Sequence, residues 1–252
     1  MFSLEIECDP ADRDLLIAEL WERGSAGIVE LSPARVRAFF EDGAGRAGLL
    51  ALYPGASVRE EEQRDWVQSA RDLLQPMEVG RRFFLVPEWR DDPAPEGRFR
   101  IVVNPGMAFG TGVHETTRLC LEALEDYVRP GMRVLDVGTG SGILAKAAEL
   151  LGAEHVYACD IDPIAVEIAG SGFIGSVDAV SAASVDLVTA NISPEAITAL
   201  AKDLLRVLRP GGVLLASGFE APEIEQVQTA LGNVREVRAK GNWALIASGS
   251  SW

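Results

Sequence analysis

The stretch VLDVGTGSG, from Val134 to Gly142, decides the fold of this 252-residue chain. An apolar run, MRVLDV, meets three glycines at alternate positions, and SGILAKAAELLG follows with helical spacing. A strand that turns on glycines into a helix is the opening unit of a doubly wound parallel sheet. Glycine permits the tight turn and lets a ligand come close to the backbone, at the switch point where such sheets bind ligands.

Downstream, the second strand, HVYACD, ends in an acid, Asp160, about twenty residues past the turn, where a carboxylate can accept hydrogen bonds from ribose hydroxyls. An adenosyl ligand is therefore expected. A dinucleotide fingerprint reads GxGxxG and sets a helix N-terminus against a pyrophosphate. Here the order is GxGxG with Asp136 two residues ahead, which is similar to S-adenosylmethionine-dependent methyltransferases of the Rossmann-like class. A carboxylate beside the turn suits an ammonium-bearing ligand. A nicotinamide enzyme and a glycine turn without a ligand are the competing readings. Strand and helix patterns continue to alternate: DPIAVEIA (helix), VDLVTAN (strand), PEAITALAKDLLRVLRPGG (helix with a glycine stop), VLLASG (strand) and EIEQVQTALG (helix). VREVRA and WALIAS, too close together for a crossover helix, should form an antiparallel hairpin at one edge.

Upstream lies a second glycine-rich loop, NPGMAFGTGVHETT, from Asn104 to Thr117. It lacks the lysine of a phosphate-binding Walker loop. Alone it could simply connect FRIVVN to the helix HETTRLCLEALEDYV. Together with the motifs downstream it resembles the D/N-PGxAFGTGxHxTT segment of the ribosomal protein L11 methyltransferase family. The resemblance runs on through LDVGTGSGILAKAA, ACDIDPIAVEIA, DLVTANIS and LRPGGVLLASG, and so covers residues 100–250.

That resemblance implies an α/β fold: a Rossmann-like, doubly wound, seven-stranded methyltransferase domain behind a small α+β domain. It implies S-adenosyl-L-methionine as cofactor, with the two glycine loops closing on it from opposite sides. Phe109, Gly110 and Thr111 would cover the cofactor and Thr117 would contact its methionine part. Gly138 and Gly140 would meet it through backbone beside Asp136, and Asp160 would hold the ribose. Asn191, in ANIS, would bind the cofactor side and align the acceptor amine as the catalytic residue, unless it merely caps the helix after Ser193-Pro194. From Asp160 to Asn191 the chain is shorter than the family pattern, so FIGSV becomes the third strand and Asp178 the candidate for the adenine amino group. His114 is expected to shape the site rather than act as a base, and Trp243 to belong to the core.

The first part mixes short elements. FSLEIEC, AGIVELS, RVRAFFE and LLALYP pattern as strands; DPADRDLLIAELWERG, capped by Asp9, and VREEEQRDWVQSARDLL pattern as helices. This order suggests a ferredoxin-like α+β domain over residues 1–87, suited to substrate recognition. EWRDDPAPEGRFR, with two prolines and several acids, is expected to be a linker over 88–100, leaving 101–252 as the methyltransferase domain.

Composition narrows the partners. The formal net charge is -15, and residues 1–100 contain no lysine at all. A phosphate-tracking surface needs a basic stripe, so direct nucleic-acid binding is not expected. No apolar run reaches the length of a membrane span, and three scattered cysteines without a CxxC pair suggest neither a disulfide framework nor a metal site. A cytoplasmic protein is expected, and the family resemblance implies an enzyme that methylates lysine side-chain and/or N-terminal amines of ribosomal protein L11. A methyltransferase for another protein or a small molecule, or a non-catalytic cofactor-binding module, remain as alternatives.

Overall fold

The computed structural model describes residues 1–10, 12–32, 34–41, 43–60, 75–103, 114–170 and 172–249. The chain divides into two compact units, Met1–Leu73 and Leu74–Trp252.

In the first unit, β1 (Phe2–Glu7), β2 (Gly27–Ser32), β3 (Arg35–Phe40) and β4 (Ser57–Glu60) form one sheet in the order β2-β3-β1-β4. All three pairings are antiparallel. With α1 (Arg13–Glu22) and α2 (Arg46–Leu52), the chain order is the split β-α-β plan of a ferredoxin-like domain. Phe2, Leu4 and Ile6 alternate along β1 and pack with Val36, Ala38 and Phe40 of β3, Leu20 of α1 and Leu49 of α2. On the other face Glu5 gathers Arg35 and Arg37 from β3 and Arg59 from β4. The Arg37 hydrogen bond, more than any other cause, holds its carboxyl below the usual range.

Two expectations are corrected here. LLALYP is not a strand: its leucines continue α2, where Leu49 buries into the core. The strand lies later, at β4, whose Val58–Glu60 open the stretch expected as a helix; the remainder of that stretch, 61–74, falls outside the described residues. In α1 the N-cap position belongs to Asp12 rather than Asp9.

The second unit opens with β5 (Met77–Val79), β6 (Phe83–Pro87) and β7 (Phe99–Val103) in one sheet. The segment expected as a linker therefore joins two paired strands. The β5–β6 turn is held to α3 (Glu115–Tyr127), where the Glu125 carboxylate accepts from the backbone N–H groups of Arg81 and Arg82 at 2.9 and 2.7 Å.

Seven strands form the main sheet, in the order β10-β9-β8-β11-β12-β14-β13. They are β8 (Arg133–Val137), β9 (His155–Asp160), β10 (Phe173–Ile174), β11 (Val185–Asn191), β12 (Leu208–Glu220), β13 (Val234–Lys240) and β14 (Trp243–Gly249). Only β14 runs against the rest, paired antiparallel to both β12 and β13, so the expected final hairpin places β13 at the edge. Alternate residues of the central strands feed two cores. Val134 and Leu187 face α3 and α4 (Ile143–Leu150), while Leu135, Val137, Val188 and Ala190 face α6 (Pro194–Arg206) and α7 (Ile224–Leu231). Strands buried on both sides are what a doubly wound sheet requires.

The short stretch after β9 closes through glycine. Helix α5 (Pro163–Ala169) begins at an Asp162 cap that accepts from Ile164 N–H, and ends at Gly170 in the left-handed region. Gly172 then passes so near Ala158 that a Cβ would stand 2.6 Å from its carbonyl oxygen. The third strand, expected over FIGSV (Phe173–Val177), is only Phe173–Ile174, and its last residue, Val177, opens a 3-10 turn over Val177–Ala179.

Candidate active site

The carboxyl ends of β8, β9 and β11 open onto a cavity of about 380 Å³, lined among others by Thr117, Gly138, Thr139, Gly140, Asp160, Ile161, Ser176, Asn191 and Ile192. This is the switch point of the sheet: β9 and β10 lie to one side of β8, β11 to the other.

One wall is built from backbone. Gly138 and Thr139 both donate N–H to the Cys159 carbonyl, at 2.9 and 3.1 Å. Gly140 donates to Asp160 Oδ2 at 3.0 Å, and the other oxygen of Asp160 accepts from Asp162 N–H. Gly138 has φ +68° and lies against Ile192, whose side chain a Cβ there would strike. No other residue type fits that turn without displacement. Beyond Asp160, Ile161 is 80% exposed, and Gly175 and Ser176 complete this side of the cavity.

Asp136 lies beneath the turn rather than in the cavity. It is 1% exposed, and its two oxygens accept hydroxyl protons from Thr139 at 2.8 Å and Thr189 at 2.6 Å. Burial pushes its pKa up, and the two hydroxyls oppose that push. The carboxylate braces the turn from below and is not among the groups that line the cavity. Asp178 is exposed beyond Ser176 and does not line the cavity. Its backbone carbonyl accepts from Arg206.

The opposite wall is the end of β11. Asn191 donates through Nδ2 to Thr117 Oγ1 at 3.4 Å, and its Oδ1 is buried with no hydrogen-bond partner among the described residues. An unpaired buried carbonyl costs about 1–3 kcal/mol, so its presence in a cavity points to a ligand donor. The capping alternative for Asn191 is settled by its neighbour: Ser193 is the N-cap of α6 and accepts from Ala196 N–H at 3.3 Å. A bulge in β12 at Gly218, φ +104°, lets the Ile192 backbone pass where a Cβ would collide with its carbonyl. A lone glycine inside a strand signals such an approach, and sequence reasoning passed over it.

Thr117 is fully buried in the first turn of α3. His114 is the N-cap of that helix, with Nδ1 accepting from Thr116 N–H and lying 2.8 Å from Thr116 Oγ1. Its ring meets the half-buried Trp243 edge-on at 4.4 Å. A cap whose Nδ1 already accepts is a positioning element for α3. Phe109, Gly110 and Thr111 lie outside the described residues.

The residues present fit S-adenosylmethionine. Gly138 leaves a cradle that a Cβ would fill, Asp160 offers acceptors beside it, and the Asn191 oxygen awaits a donor.

Comparison with known proteins agrees with this geometry. The family model described as "Ribosomal protein L11 methyltransferase (PrmA)" matches residues 42–250. A ribosomal protein L11 methyltransferase of Pelotomaculum thermopropionicum is 42% identical over 222 residues, covering 80% of this chain and 72% of the relative. One of Symbiobacterium thermophilum is 39% identical over 232 residues, covering 88% and 75%. The crystal structure of a ribosomal protein L11 methylase from Lactobacillus delbrueckii subsp. bulgaricus superposes with a TM-score of 0.64 at 30% identity, covering 69% of this chain and 97% of that one. With a fold, a cavity and a sequence match in agreement, the chain belongs to the ribosomal protein L11 methyltransferase family.

Proposed function

We propose that this protein transfers methyl groups from S-adenosylmethionine to lysine side-chain and/or N-terminal amines of ribosomal protein L11, in the cytoplasm. The observation that carries the reading is the orphaned Oδ1 of Asn191, aimed by the Thr117 contact at its other end. When bound, the cofactor would supply an electrophilic methyl on a cationic sulfur, the amine nitrogen bonding the methyl carbon as the C–S bond breaks and the sulfur leaves as a neutral thioether. Asn191 Oδ1 accepts one N–H of that amine and so turns the lone pair toward the methyl carbon. Alignment of this kind, with water excluded, supplies much of the acceleration.

Asp160 takes the ribose hydroxyls, and Gly138 and Gly140 present their backbone to the methionine part, where Thr117 also reaches. Asp136 supports these contacts from below. Phe109, Gly110 and Thr111 cover the cofactor from the upstream loop, and Asp178 remains the candidate for the adenine amino group. The division of labour follows the sequence reading: residues 1–87 recognise the acceptor protein and 101–252 carry out the transfer.

Among the described residues that line the cavity, Asp160 is the only ionisable one, and it belongs to the cofactor side. On this reading the acceptor amine loses its proton to water before it attacks. The test is incubation of the purified protein with methyl-labelled S-adenosylmethionine and unmethylated L11, followed by mass analysis. Label on lysine or N-terminal amines is expected. Label confined to another protein would keep the chemistry and overturn the acceptor; cofactor binding without label would overturn the enzyme.

A further inference from the structure

Thr189 sits mid-strand in β11, wholly buried, two residues before Asn191. It is the cross-strand partner of Asp136 in the β11–β8 ladder, and its hydroxyl donates to Asp136 Oδ1 at 2.6 Å. Thr139 of the glycine turn donates to Oδ2, and a backbone N–H at Ala145, in the first turns of α4, adds a third donor. One carboxylate thus takes hydrogen bonds from the cofactor turn, from the helix behind it and from the strand that carries Asn191.

We propose that Thr189 is a positioning residue for methyl transfer, which acts through Asp136 to fix the cofactor turn against the strand bearing Asn191. The proposal rests on the methyltransferase reading above. A buried carboxylate persists only when its lone pairs are filled by donors. The 2.6 Å separation is in the range of a hydroxyl bonded to an ionised carboxylate. The anion is also what lets Asp136 accept from all three elements at once. The other titratable groups around it are Cys120 of α3 and Cys159 and Asp160 of β9. Burial raises both thiols, so they stay neutral, while the Asp160 charge adds to the upward push on Asp136.

Loss of the Thr189 hydroxyl removes a donor from the charged form, so the Asp136 pKa rises further. Activity that needs the anion is then lost as pH falls, from a higher pH than in the wild type. The experiment compares Thr189→Val, nearly isosteric, with Thr189→Ser, which keeps the hydroxyl. Each is checked for folding by thermal melting and for S-adenosylhomocysteine affinity, then assayed on L11 across pH. For Thr189→Val, kcat at neutral pH should fall about tenfold while KM for L11 changes by no more than about twofold. On top of the slope that the acceptor amine's own deprotonation imposes, the extra acid-side loss of kcat should set in about half a pH unit or more higher than in the wild type. Thr189→Ser should stay within about twofold of wild type.

An unchanged kcat and acid limb in Thr189→Val, or equal impairment of the serine variant, would overturn the proposal. If Thr189→Val does not fold, Thr139→Val removes the other hydroxyl from the same carboxylate and must show the same upward displacement. A wild-type protein that methylates nothing would instead overturn the functional reading, and this proposal with it.

Discussion

The two walls of the cavity are built on opposite plans. On the β8–β9 side polar groups are spent on one another: Gly138 and Thr139 on Cys159, Gly140 on Asp160, Asp136 on two threonines. On the β11 side, Asn191 keeps one oxygen buried and unmatched among the described residues. A satisfied wall holds its shape whether or not a ligand is bound. An unsatisfied atom is destabilising until a donor arrives. The difference teaches that, on the proposed reading, binding and transfer are separable: the first wall would make the cofactor site, and the second would receive the amine.

Breaking the satisfied wall should have the largest effect. Gly138→Ala forces a Cβ into a left-handed position facing the Ile192 side chain, and cofactor affinity measured by calorimetry should fall about a hundredfold. Ile192→Ala in the same chain should recover part of that loss; no recovery would mean the backbone strain alone is responsible. Asp160→Asn removes the charge but keeps an oxygen for Gly140 or Asp162, so affinity should weaken about tenfold with the fold intact. A matching fall in melting temperature would assign Asp160 to structure instead.

The acceptor side has its own signature. With no ionisable side chain on its wall of the cavity among the described residues, transfer to lysine should rise roughly tenfold per pH unit below the amine's pKa of about 10.4. A plateau near neutrality, in single-turnover rates, would reveal a base. The smallest effect separates neighbours: Ser193→Ala should cost about 1 kcal/mol of stability by losing the α6 cap, whereas Asn191→Ala should not incur that cost. Denaturant unfolding of the two variants decides it.

Much of this was legible in sequence because backbone demands leave glycines behind. The turn at Gly138–Gly142, the acid closing β9 and the ANIS segment all lie where the pattern put them. What was hidden depended on partners distant in sequence. Thr189 looked like any β-branched residue in a buried strand until the register set it opposite Asp136. The bonds from Asp136 to Thr139 and Thr189 likewise become visible only in the fold. LLALYP has the composition of a short strand, and its helical state follows from Leu49 packing beneath β1 and β3 rather than from local preference. Gly218 acquired meaning only from the nearby Ile192 backbone.

The most direct test pairs two numbers for Asn191→Ala: the single-turnover rate of methyl transfer to L11 at saturating cofactor, and the affinity for S-adenosylhomocysteine. Separable walls predict a rate lower by about a hundredfold with affinity changed less than about tenfold. Equal losses in both would mean that Asn191 serves the cofactor alone, and an unchanged rate would contradict the account outright.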